Sequence, residues 1–223
     1  MTPRKRWLLG STAVALAVYA LMWIGFTLQW NWLTALDSSA LETLHRYGVA
    51  HPGWLTAWDV FCTVLGPTAF RLLTLVVIVV ALVRRNLRAA LFLVISVELA
   101  GLITELAKSA ADRPRPETAF VYAYSTSFPS GHAVGVTVGV LALLTVALPV
   151  VRGPLRAWLI GFGVVVVVAI GIGRVVLNVH HPSDVLAGWA LGYAYFAACL
   201  VMVPPRRWIT DADETLGVPG TAR

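Results

Sequence analysis

His180 stands four residues before Asp184, and Arg174 precedes His180 with five residues between them. If a helix turn begins near His181, Asp184 can reach back to one nitrogen of the His180 ring. A carboxylate there fixes the tautomer and stabilises positive charge on the ring, leaving the second nitrogen as a base or nucleophile. Attack by that nitrogen on phosphorus would give a phosphohistidine and split one hard displacement into two easier ones. Upstream, six residues separate Lys108 from Arg115, and Ser130, Gly131 and His132 close a polar loop. Cations around a phosphoryl group neutralise its equatorial oxygens in the transition state. Arginine brings a planar fork and lysine a point charge, so the two do different jobs. The Ser130 hydroxyl and the Gly131 amide add neutral donors at a helix N-terminus. His132 is placed to protonate the leaving oxygen and then to take a proton from the attacking water.

These residues need elements that bring them together. Of 223 residues, 58% are hydrophobic and 13% charged, against about 25% charged in a soluble domain. Apolar runs of spanning length make the chain an expected integral membrane protein. The net charge of +6 is scattered between those runs, which is a topology signal and not a nucleic-acid groove. Six spans are expected, over 7–28, 60–83, 89–107, 133–151, 157–173 and 185–203. The first is longer than the roughly 7–15 residues of a signal core. Asp37-Ser38-Ser39 followed by Glu42 fits a capping box that opens a short helix on the membrane surface between spans one and two. The expected class is all-α: a six-span bundle over residues 1–205, with a polar cytoplasmic tail over 206–223.

Ten basic residues (Arg4, Lys5, Arg6, Arg84, Arg85, Arg88, Arg152, Arg156, Arg206, Arg207) fall on the side of the termini, and five (Arg46, Lys108, Arg113, Arg115, Arg174) on the other. The positive-inside rule puts both termini in the cytoplasm of a cell-membrane protein. Lys108, Arg115, His132, Arg174, His180 and Asp184 then share the outer face, although they come from two separate loops.

Lys108-(six)-Arg115-Pro116, Pro129-Ser130-Gly131-His132 and Arg174-(five)-His180-(three)-Asp184 resemble the three signature motifs of the type 2 phosphatidic acid phosphatase superfamily, which also includes vanadium haloperoxidases. Average residue usage makes a chance Pro-Ser-Gly-His in such a chain on the order of one in a thousand. The resemblance implies a membrane lipid phosphatase with His180 as nucleophile, Asp184 as its partner and His132 as general acid. Lys108, Arg115, Ser130, Gly131 and Arg174 would bind phosphate. No cofactor or metal is implied. The substrate would be a lipid phosphate or diphosphate arriving from the bilayer: undecaprenyl diphosphate, phosphatidate or phosphatidylglycerol phosphate. A phosphotransferase on the same fold and a non-enzymatic anion-binding membrane protein stay open. A homo-oligomer is compatible with the sequence and not indicated by it. One departure is visible: the family often carries Ser before the third-motif Arg, where this chain has Gly173.

Other polar residues take simpler readings. Arg113 is off the motif spacing and reads as a solvated loop charge or a headgroup contact. His181 reads as a site wall, Glu105 as an ion-pair partner of Lys108 one turn away, and His45 and His51 as structural. Arg71 reads as snorkelling from a helix that starts at Gly66-Pro67. Cys62 and Cys199 read as buried thiols without a disulfide. Gly161, Gly163, Gly171 and Gly173 read as close helix packing.

Overall fold

Apolar runs dominate the chain, and the computed structural model, which describes residues 3–205, folds them entirely into helix. Among the described residues there are nine α-helices, one π-helical turn and no strand. They are α1 (Pro3–Thr27), α2 (Asn31–Ala50), α3 (Pro52–Val64), α4 (Pro67–Val83), α5 (Leu87–Leu93), α6 (Ala100–Ala111), α7 (Gly131–Ala147), α8 (Gly153–Val176) and α9 (Pro182–Met202). The π turn, Val94–Glu98, joins α5 to α6. The expected tail over 206–223, with Arg206 and Arg207, lies outside the described residues.

Proline sets several helix starts, because its fixed φ suits the first turn and its missing N–H has no partner to lose there. Pro52, Pro67 and Pro182 open α3, α4 and α9 in this way. Helix α7 is apolar all round, with a mean composition that favours no face, and none of its residues is fully exposed. A helix of that kind belongs at the centre of a bundle. It packs against α9, α8, α4, α6 and the π turn, while α1 runs along α9 and α2 lies across α8 and α9.

Among the described residues, five segments are long and apolar enough to cross a membrane: 5–27, 52–83, 87–111, 153–176 and 182–202. Helix α7, with 17 residues, is about 26 Å long at 1.5 Å per residue, somewhat short of a hydrocarbon core of about 30 Å. The second crossing segment begins eight residues before the expected Val60, because α3 leads into α4 through a break at Leu65-Gly66. The third is interrupted. In the π turn the Leu99 amide bonds to the Val94 carbonyl at 3.3 Å, and the Ile95 carbonyl accepts the Tyr195 hydroxyl of α9 at 2.5 Å. A π turn frees carbonyls for such outside partners.

The capping-box reading of Asp37 to Glu42 is corrected here. Helix α2 starts six residues earlier, at Asn31, and Asp37 is buried in its interior at 2% exposure. Arg71 does lie in the second turn of a helix starting at Pro67, but its guanidinium bonds to Glu98 of the π turn at 3.1 Å. Cys62 and Cys199 are free thiols buried in two different apolar clusters. Three of the four small-residue positions mark close approaches within the bundle. Gly163 faces Val140 and Leu144 of α7, Gly171 faces Trp189 and Val185 of α9, and Gly173 faces Cys62 and Trp58 of α3.

Candidate active site

The site residues gather at one end of the bundle, where α6 and α8 end and α7 and α9 begin. Ser130 is the N-cap of α7, with extended backbone and its Oγ 3.5 Å from the Ala133 amide it accepts. Its own amide donates to the Asp184 carbonyl at 2.9 Å, tying the start of α7 to the first turn of α9. Gly131 follows as the first helical residue. A Cβ there would lie 3.4 Å from Thr104 Cγ2 and 3.7 Å from Lys108 Cε, so its backbone faces the end of α6. Phe128, fully buried, anchors the loop before them against Tyr19, Trp23 and Phe26 of α1.

Lys108 is buried in the last turn of α6, and its ammonium donates to the Thr126 carbonyl. That contact, and not the expected Glu105 pair, is the bond that orients it. The Thr126 hydroxyl returns a bond to the Lys108 carbonyl at 3.2 Å. Arg115 spans two loops. Its Nε donates to Ser125 O at 2.6 Å and its Nη1 to Val179 O at 2.8 Å. The second loop is held in turn by Asn178, whose φ of 51° suits an asparagine. Its side-chain amide donates to Leu41 O at 3.1 Å and to Thr118 Oγ1 at 2.9 Å.

His180 emerges from that loop at 1% exposure. Its Nε2 lies 3.2 Å from Arg115 Nη1. A guanidinium has donors only, so Nε2 accepts and the ring proton sits on Nδ1. Nδ1 faces Asp184 Oδ2 at 3.6 Å, longer than a hydrogen bond. The reason is crowding at Oδ2, which already receives the Ser127 hydroxyl, the His181 amide at 2.8 Å and His181 Nδ1 at 3.2 Å. His181 is therefore no mere wall residue: it caps α9 reciprocally with Asp184 and shares the carboxylate with His180. Burial holds the His180 ring neutral, with its pKa lowered to about 3; Asp184 opposes that shift, and Arg115 and Arg174 add to it. Burial also pushes the Arg115 guanidinium below its ordinary value, opposed by Asp184 and Glu105.

His132, in the first turn of α7, points its Nε2 toward Gly66, at 3.4 Å from where a Cβ on that glycine would sit. The charges of Arg174, Arg115 and Lys108 and the ring of His180 all act on it electrostatically, and Arg115 and Arg174 act on His180 as well. Arg174, 7% exposed in the last turn of α8, lies against the Cys62 thiol, and its Nε is buried without a hydrogen-bond partner. Among the described residues no three His, Cys, Asp or Glu side chains form a metal-ligand group.

Two participants were not legible from motif spacing. Arg113 is no solvated charge: at 8% exposure it donates from Nη1 to Asp184 Oδ1 at 2.6 Å and to Ser183 Oγ at 2.7 Å. Its Nη2 donates to Asp37 Oδ2 at 2.9 Å. Asp37 also accepts from the Ser183 amide at 3.0 Å and the Ser183 hydroxyl at 2.5 Å. The only available signal was the oddity of acid and base in an otherwise apolar chain.

Residues 89–208 match the model of the PAP2 superfamily. The chain belongs to that superfamily. Phosphatidylglycerophosphatase B of Bacillus subtilis is 34% identical over 149 residues, 64% of this chain and 72% of that protein. An undecaprenyl-diphosphatase of Sulfolobus acidocaldarius is 32% identical over 116 residues, 49% of this chain and 52% of that protein. The chain thus spans about half the length of the Sulfolobus relative. The crystal structure of a transmembrane PAP2 type phosphatidylglycerolphosphate phosphatase from Bacillus subtilis superposes with a TM-score of 0.70 at 20% identity, covering 87% of this chain and 94% of that one. The fold is therefore that of a membrane PAP2 protein, and with its apolar helices the chain is an integral membrane protein.

Proposed function

We propose that this PAP2 protein is a membrane phosphatase that hydrolyses a lipid phosphate or diphosphate through a phosphohistidine on His180. The observation that carries the reading is the division of labour on the His180 ring: Nε2 against the Arg115 guanidinium, Nδ1 toward Asp184. Lys108, Arg115, Arg174, the Ser130 hydroxyl and the Gly131 amide receive the phosphoryl oxygens. His180 Nε2 attacks phosphorus, the bond to the lipid oxygen breaks, and His132 donates the proton that oxygen needs. Positive charge on the phosphorylated ring is balanced by Asp184. Water then attacks phosphorus, His132 takes its proton, and the P–N bond breaks to release phosphate and restore the ring.

The site lies where spans end, so a lipid can enter from the bilayer while its headgroup meets the cations. The distribution of basic residues favours the extracytoplasmic face of the cell membrane, with both termini in the cytoplasm. The names of the relatives favour undecaprenyl diphosphate and phosphatidylglycerol phosphate as substrates, and phosphatidate is the third to assay.

The test is phosphate release by purified protein in detergent from these three lipids, with His180→Ala beside the wild type. Release from at least one lipid is expected, together with a phosphoenzyme that survives base, as phosphohistidine does, and is absent from His180→Ala. Undiminished release by His180→Ala would overturn the mechanism.

A further inference from the structure

Asp184 receives more donors than a partnership with His180 requires, and the extra ones lead away from the reacting groups. Its Oδ1 is held by Arg113 Nη1 at 2.6 Å, and the other terminal nitrogen of Arg113 is held by Asp37 at 2.9 Å. Ser183 closes the network, because its hydroxyl accepts from Arg113 and donates to Asp37 while its amide donates to Asp37 Oδ1. The guanidinium lies over the Phe26 ring, 4.7 Å from its centroid, so packing from α1 fixes its plane. All four polar residues are under 9% exposed.

Stability alone is a poor reason for this arrangement. Burying three charges carries a desolvation penalty of several kcal/mol per ion, and apolar replacements of such groups are often neutral or better. Its geometric effect is specific. Two carboxylates on one guanidinium leave no rotation to the Asp184 carboxylate, so Oδ1 is fixed on the α2 side and Oδ2 on the side of His180 and His181.

We propose that Arg113 and Asp37 are positioning residues, a clamp on Asp184 Oδ1 that keeps Oδ2 facing His180 Nδ1 as the ring gains charge during attack on phosphorus. The inference rests on the phosphohistidine reading above. Asp37 sits on α2, outside the 89–208 segment that matches the family model, so the N-terminal part of the chain supplies part of the catalytic geometry. Without the clamp, the carboxylate follows the Ser127 and His181 donors and turns away from His180.

Phosphate is held by Lys108, Arg115 and Arg174, none of which belongs to the clamp. The full chain in detergent, as Asp37→Asn, Arg113→Gln and Arg113→Lys, is therefore assayed for kcat, KM, phosphoenzyme burst and melting temperature. Outer partners that orient metal ligands are worth about 10–100-fold, and a loss of that size is the expectation for a clamp on Asp184. For Asp37→Asn and Arg113→Gln a kcat and burst rate lower by that factor are expected, with KM within about threefold of wild type. Arg113→Lys, which keeps the charge and loses the fork, should retain more kcat than Arg113→Gln. Unchanged kcat in Asp37→Asn and Arg113→Gln, beside an inactive His180→Ala, overturns the clamp and leaves the phosphatase reading standing. So does a loss shared by kcat, KM and melting temperature in all three variants, which marks a structural role only. A wild type that releases no phosphate, or an active His180→Ala, overturns the parent reading and the clamp with it.

Discussion

Arg115 Nη1 stands 3.2 Å from His180 Nε2 while the same guanidinium holds the Ser125 and Val179 carbonyls at 2.6 and 2.8 Å. The fork thus lies along the lone pair that attacks phosphorus in the proposed mechanism. In that mechanism a phosphoryl group arriving at His180 draws the remaining N–H groups onto its oxygens, and the two carbonyl bonds keep the guanidinium in place. A lysine has the charge but not the fork. Hydrogen bonds to charged groups are worth about 1.5–3 kcal/mol, so Arg115→Lys is expected to lower kcat/KM about 10- to 100-fold in steady-state phosphate release. A loss smaller than about threefold would show that charge alone is what the site uses.

Burial of neutral His180 gives stability a direction with pH. The folded ring titrates at about 3 and the unfolded ring near its ordinary value of about 6.5. Above the unfolded value the ring is neutral in both states and its contribution is fully present. Between about pH 6.5 and 3 unfolding takes up a proton, so stability falls as pH falls through that window. Melting temperature in detergent should drop with acidification, and His180→Asn, which does not titrate, should flatten the dependence by up to one proton. An identical slope in the two proteins would show that the ring is already charged when folded.

Gly188 sets the approach of α9 to the start of α7. A Cβ there would lie 2.8 Å from the Ser130 carbonyl and 2.7 Å from Ala133 Cβ. Backbone cannot yield as a side-chain tip can, so Gly188→Ala must push the Ser130–Gly131 turn away from Asp184. Overpacking of this kind costs about 1–3 kcal/mol. Inhibition by inorganic phosphate should weaken in Gly188→Ala along with the melting temperature, since the displaced turn carries two of the proposed phosphate donors. Unchanged inhibition would place those donors elsewhere.

The motifs were legible in the sequence because each is a short stretch of chain around a helix end and the adjoining loop. Ser130 as N-cap and Pro182 as a helix start follow from local spacing, and the structure has them; Asp184 faces His180 as its spacing predicts, but at 3.6 Å, beyond hydrogen-bond length. Asp37 was misread for the same reason. Asp-Ser-Ser followed by Glu42 satisfies a local capping rule, but the partner that decides its place is Arg113, 76 residues later. A residue's burial against a distant charge leaves no periodic trace. His181 was misjudged because the capping of α9 offers one carboxylate to two neighbouring rings, and spacing alone assigns it to one. The break in the third span is likewise invisible, since Val94–Glu98 holds neither proline nor glycine to mark it.

Gly173 is the position where the chain departs from the family's frequent Ser, and packing explains it. A Cβ at 173 would come within 2.5 Å of Cys62 Sγ and 2.8 Å of Trp58 Cε3. Cys62 is fully buried beside Arg174, so α3 occupies the space that a serine side chain needs. Restoring the family residue is therefore expected to harm this protein: Gly173→Ser should lower stability by about 1–3 kcal/mol and raise KM by tilting Arg174. Cys62→Ala removes the nearest obstacle but leaves Trp58. Cys62→Ala/Gly173→Ser should then be more stable than the two single changes predict when added, by about 0.5 kcal/mol or more. Melting curves of the four proteins measure that coupling. Strict additivity would mean that Cys62 is not what keeps residue 173 a glycine.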